Sequence, residues 1–322
     1  MSKSSLHYSL ISASLLLLAL VMAACTSAQP VTPSPTEVAT VPTATPTLMP
    51  ILITPTSIPT SGTTPSPASY DPNLPDSWKT LPVIPETVSQ RMKELYETGK
   101  TSGLNQNHFS KVGDCETFTD YFLAPFDLKP SGYRLGEYTS LKLVITKYAG
   151  SFSRRSLAAE RGFSVASVLS PTWADRKQCR ANETPLICEI RVYKPAIMLV
   201  MFGTNDVKNS SRSAFEKNLK LLLDFAIKNK VVPVLATKAD NLEGDGSINA
   251  IIARVGYEYQ VPVWNYWRAM QDLPGNGLEE DQIHLTYAQP FFDSPENMQK
   301  GWPVRNLTAL QALEKVTQEL EK

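Results

Sequence analysis

The stretch Ala196 to Gly203, AIMLVMFG, constrains this chain more than any other. Seven consecutive apolar side chains leave no polar face for water, so as a strand the run must be covered on both sides. A strand covered twice belongs in a parallel sheet between layers of helices. The neighbouring sequence agrees, because strand-like and helix-like segments alternate. Apolar spacing predicts helices over 85–100, 214–230, 247–260 and 306–321, and a loop leading into a helix over 156–170. Strands are predicted at 108–114, 141–148, 231–237 and 261–267, beside the central one. The expected fold is therefore α/β, a three-layer α/β/α, doubly wound parallel sheet. In such sheets ligands bind outside the carboxyl ends of the strands.

The amino-terminal region reads differently. Lys3 precedes an uncharged, mostly apolar run from Leu10 to Ala24, and Ala23 and Ala24 sit directly before Cys25. This is the layout of a secretory signal. The run is 15 residues long, short of the ~18 that span a bilayer. Small residues abutting a cysteine resemble a bacterial lipobox, which implies cleavage and lipidation at Cys25, with an ordinary signal peptide as the alternative. The following segment, 26–68, holds twelve Thr, ten Pro and one charged residue, Glu37. It lacks apolar periodicity, and its prolines favour an extended stalk on the order of 130 Å long. The expected organisation is a lipoprotein signal over 1–25, a disordered stalk over 26–68 and one α/β domain over 69–322, exported and membrane-anchored by lipid. A formal net charge of +0 gives no reason to expect a nucleic-acid partner.

Four cysteines are present. Cys25 is assigned to lipid, and Cys179 and Cys188, nine residues apart, are expected to form a disulfide in an oxidising compartment. Cys115 is left over.

Three polar motifs fall at or after predicted strand ends: Gly113-Asp114-Cys115, Gly203-Thr204-Asn205-Asp206, and Asp281-Gln282-Ile283-His284. Each alone is an ordinary turn or cap. Together they supply a nucleophile, an imidazole with a pKa near neutrality, a carboxylate to orient it, and an amide to meet a developing oxyanion. Of the three histidines, His7 lies in the signal and His108 at a strand edge, which leaves His284 for chemistry.

In order and content these blocks resemble the SGNH (GDSL-type) hydrolases over roughly residues 107–320. The resemblance implies a flavodoxin-like α/β/α domain and ester hydrolysis without metal or cofactor. Cys115 then stands where the family has serine, His284 is base and acid, and Asp281 orients it. The oxyanion hole falls to Cys115, Asn205 and Gly162, with Gly136 and Gly150 competing for the last place. An ester-bearing substrate is implied, an acetylated glycan first among them given the surface stalk, acted on by a monomer.

Cys115 leaves two readings open. A thiol lowered in pKa by His284 and a helix start would attack the ester through a thioester. A larger sulfur could instead misplace the oxyanion and leave a silent glycan- or ester-binding lipoprotein. A Cys115–His284 metal site lacks clustered ligands. Trp173, Trp264 and Trp267 are read as core or pocket wall.

Overall fold

A computed structural model describes residues 70–128 and 130–322. The predicted signal, Cys25 and nearly all of the predicted stalk lie outside the described residues. Four strands form one parallel sheet in the order β1 (Asn105–Gly113), β2 (Pro195–Met201), β3 (Val232–Ala236) and β4 (Val263–Trp264). Every residue of β2 is buried, as its unbroken apolar sequence requires.

Helices cover both faces. Arg212–Lys228 and Ser247–Tyr259 pack together and against β3, joined by the shorter Val165–Val168. Gln90–Thr101, which touches β2 and β3, packs with Gly301–Leu320, and that helix also meets Lys142–Lys147. The helices form where the apolar spacing places them. In Arg212–Lys228 the buried set is Phe215, Leu219, Leu222, Leu223 and Ala226, a single stripe, and the Ser211 hydroxyl caps its start by accepting from the Ala214 N–H at 3.2 Å.

The winding direction is fixed at the end of β1. The Gly113 N–H donates to the Ala158 carbonyl at 3.1 Å, and the Glu160 N–H donates to the Gly113 carbonyl at 3.2 Å, a parallel bridge on the edge of β1 away from β2. After β1 the chain thus steps to one side at Ala159, then crosses to the other to make β2, β3 and β4. The reversal lies between β1 and β2, where a doubly wound sheet opens its crevice.

Two predicted strands come out differently. The segment 141–148 is helical over Lys142–Lys147, with Leu141, Val144, Ile145 and Tyr148 buried and Leu143 exposed. The 261–267 strand is only Val263–Trp264, because buried Asn265 turns the chain: its side chain accepts from the Arg268 N–H and donates to the Trp78 and Leu81 carbonyls at 2.9 and 3.0 Å. The Cys179–Cys188 disulfide is present, with its Cα atoms 5.3 Å apart.

Candidate active site

β1 ends at Gly113, where a side chain has no room: a Cβ would sit 2.4 Å from Thr117 Oγ1 and 2.5 Å from the Met201 carbonyl oxygen. The close approach lets the chain turn directly into a one-turn helix, Cys115–Phe118. Asp114 caps it, its Oδ1 accepting from the Glu116 N–H at 3.1 Å. Cys115 opens the helix and is half-buried.

The thiol is not acidified, contrary to the sequence-based expectation. Burial pushes Cys115 up to about 11, and the negative charges of Asp114 and Glu116 add to that rise, outweighing the Glu116 amide and Arg305. Asp114 itself is almost fully buried and is raised to about 7 by desolvation. Among the described residues no hydrogen bond joins Cys115 Sγ to His284.

Beneath this turn lies a fully buried cation, Arg305, from the helix Gly301–Leu320. Its Nη1 donates to the Glu116 carbonyl at 2.6 Å and to Glu116 Oε2 at 3.2 Å, while Nη2 donates to Thr117 Oγ1 at 3.3 Å. The guanidinium packs over Phe122 at 4.2 Å and near Trp302 at 5.2 Å.

The second motif follows β2. Gly203 has φ +131°, and a Cβ there would meet Ile248 Cγ2 at 2.6 Å, so only glycine passes. Asn205 then donates one amide hydrogen from Nδ2 to the Phe163 carbonyl at 2.9 Å, leaving the other free of that bond. Buried Asp206 accepts from the Val165 N–H at 3.1 Å and is raised to about 6 by desolvation. Asn205 and Asp206 therefore clasp the loop that carries Gly162. Of the competing glycines, Gly150 is bonded to Asp127 and Gly136 lies against Asp293, and neither meets this clasp. The N–H groups of Gly162 and Cys115 have no acceptor among the described residues.

The third motif is a tight loop in which Asp281 Oδ1 accepts from the Ile283 and His284 N–H groups at 2.9 and 3.0 Å. Its Oδ2 lies 2.5 Å from His284 Nδ1. The side chains are 46% and 56% exposed. The Asp281 bond raises the His284 pKa against an opposing burial effect, and the charges of Glu116 and Asp114 reinforce it. The same bond helps hold Asp281 down at about 2. The loop of His284 and the loop of Cys115 are neighbours. Both also border one cavity of about 20 Å³, lined by Asp114, Glu116, Ile283, Leu285 and Arg305 among others, room for roughly one water.

The loops of Cys115, Gly162, Asn205 and the Asp281–His284 pair thus gather at the carboxyl ends of β1 and β2, with the imidazole–carboxylate bond made and a sulfur–imidazole bond not made. His108 stands apart, stacked on Tyr193 at 4.1 Å. Trp264 is core and Trp267 packs edge-on to Trp78 at 4.7 Å, but Trp173 is 57% exposed against Phe163. In the sequence, motif spacing assigns no role to Glu116, Asp206 or Arg305. Arg305 leaves a signal there, a lone cation inside the apolar run GWPVRNLTAL.

No protein-family model matches the sequence. No curated protein matches it either. Solved structures similar to it include a psychrotrophic esterase from Pseudoalteromonas sp., 14% identical, with 65% of this chain and 98% of that chain covered at a TM-score of 0.41. A family 3 carbohydrate esterase from Clostridium thermocellum is 16% identical, with 65% and 98% covered at 0.39. A GDSL-like lipase from Bacteroides thetaiotaomicron is 15% identical, with 70% and 98% covered at 0.38.

Proposed function

We propose that the domain is a carboxylic-ester hydrolase of the SGNH type in which Cys115 replaces serine. The observation that carries this reading is the convergence of three motifs, distant in sequence, on the β1–β2 switch point with the His284–Asp281 bond already formed. A thiol with a pKa of about 11 is neutral at working pH, so the chemistry follows serine logic rather than that of a thiolate–imidazolium pair. With Nδ1 donating to Asp281, His284 Nε2 keeps its lone pair. It takes the thiol proton as Sγ bonds to the carbonyl carbon. The tetrahedral oxyanion is met by the Cys115 and Gly162 N–H groups and the second Asn205 amide hydrogen. Collapse expels the alcohol, which receives the proton from His284, and water then cleaves the thioester. O-acetylated glycans are the proposed substrates, reached by a head tethered through residues 26–68 to a lipid on Cys25.

A second reading, a pocket that binds the ester without turnover, is favoured by one observation, a thiol that makes no bond to His284 and sits beside two carboxylates. Hydrolysis of p-nitrophenyl acetate separates the two. Activity abolished by iodoacetamide and reduced about 10²–10⁴-fold in His284→Ala supports the enzyme. An inactive wild type with an active Cys115→Ser refutes turnover by the native thiol and supports the silent pocket. For the anchor, Cys25→Ala should release the protein from the membrane fraction, and a variant that stays membrane-bound refutes lipidation there.

A further inference from the structure

Two large aromatic side chains stand in solvent beside this site. Tyr121, six residues beyond Cys115, is 51% exposed, and Tyr287, three residues beyond His284, is 48% exposed. Their ring centroids are 4.6 Å apart, tilted by 47°, and buried Trp302 backs Tyr121 edge-on at 5.7 Å.

The pair is built rather than incidental. Buried Leu123 is held at φ +64°, a left-handed conformation that is costly for a bulky residue, and Asn306 fixes it. Asn306 Oδ1 accepts from the Leu123 N–H at 2.7 Å, and Nδ2 donates to the Tyr121 carbonyl at 2.9 Å. The turn therefore presents Tyr121 outward. Before Tyr287, Thr286 is anchored three ways: its N–H and Oγ1 donate to the Gly277 carbonyl at 2.9 and 3.0 Å, and its Oγ1 accepts from the Gly301 N–H at 2.8 Å. The backbone carrying each ring is thus fixed by hydrogen bonds, which removes part of the entropic cost of binding.

We infer that Tyr121 and Tyr287 form a stacking subsite for a pyranose ring in the alcohol half of the substrate. This rests on the ester-hydrolase reading of the site. Three residues span at most about 11 Å, so the platform lies within one or two sugar units of His284. A pyranose has an apolar C–H face and a hydroxyl edge, and suits an exposed aromatic surface next to a polar site. The exposed ring of Trp173, on Phe163, supplies a further surface on the Asn205 side.

The test is calorimetric titration of the full chain in detergent with xylotetraose, cellotetraose, mannotetraose and chitotetraose, none acetylated, so that turnover is not needed. Binding of at least one is expected. Tyr121→Ala and Tyr287→Ala should each weaken it about three- to tenfold, the loss of one aromatic contact, while Tyr121→Phe should stay near wild type. Tyr257→Ala, an equally exposed ring beside Tyr70, should change nothing. Binding of none of the four sugars, or unchanged affinity in both Tyr→Ala variants with native circular dichroism, overturns the subsite. Vinyl acetate hydrolysis by the wild type is measured alongside. Its absence with sugar binding intact refutes the hydrolase alone, and its presence without sugar binding refutes the platform alone.

Discussion

Alkylation of Cys115 probes the site directly. The native protein carries one free thiol among its described residues, so iodoacetamide uptake, followed by intact mass, reports on it. At pH 7 a thiol with a pKa of about 11 is ionised to about one part in 10⁴, against about one in 10² at the reference value of 9.0. The more basic thiolate is also the better nucleophile, by about threefold per unit of pKa, which recovers about tenfold of that hundredfold loss. Net alkylation at pH 7 should therefore be about tenfold slower than for a thiol of pKa 9.0 with equal access. The rate should climb with pH across the whole range from 7 to 10. Glu116→Gln removes a negative charge beside the sulfur, favours the thiolate and should speed alkylation at pH 7 about two- to threefold. His284→Ala should leave the rate within about twofold, since no bond links the two groups and access alone changes. A plateau in rate below pH 8, lost in His284→Ala, would falsify the reasoning, because it would reveal a preformed thiolate–imidazolium pair.

Further expectations follow from the same geometry. Asp281 holds the His284 pKa above its ordinary 6.5, and the base acts only when neutral, so kcat/KM should rise as pH passes through that raised value. Asp281→Asn should move this limb to lower pH and cut the plateau about 10³–10⁴-fold; an unmoved limb would mean that another group titrates. Gly203→Ala places a methyl within 2.6 Å of Ile248 and 2.9 Å of Lys238, and should cost about 1–3 kcal/mol in urea unfolding. Neutral behaviour would contradict the tight crossing after β2. Cys179→Ser with Cys188→Ser opens a short loop and should cost about 2–3 kcal/mol in stability, read by thermal unfolding.

The central strand was legible because AIMLVMF tolerates only one environment, and the helix stripes because their spacing is local. The segment 141–148 has a strand-like composition but a helical burial pattern. Its Val, Ile and Thr favour strands, yet Leu141, Val144, Ile145 and Tyr148 fall at helical spacing, and those four are the residues the fold buries. Leu143, 75% exposed, masked that pattern. Motif spacing singles out Cys115, Asn205, Asp281 and His284 as candidates, but the electrostatics of the thiol are not legible there. They depend on how deeply Asp114 and Glu116 are buried and on a guanidinium brought from residue 305, which is tertiary information.

That guanidinium ties two events in the life of the chain together. The turn bearing Cys115 is braced by Arg305, 189 residues from Glu116, and the adjoining Tyr121–Leu123 turn by its neighbour Asn306. A chain emerging from its amino end cannot complete either brace until the helix Gly301–Leu320 has been made and docked. The machinery near the front of the domain thus stays unfinished throughout synthesis, and a nascent or prematurely stopped chain carries the thiol without the pocket that restrains it.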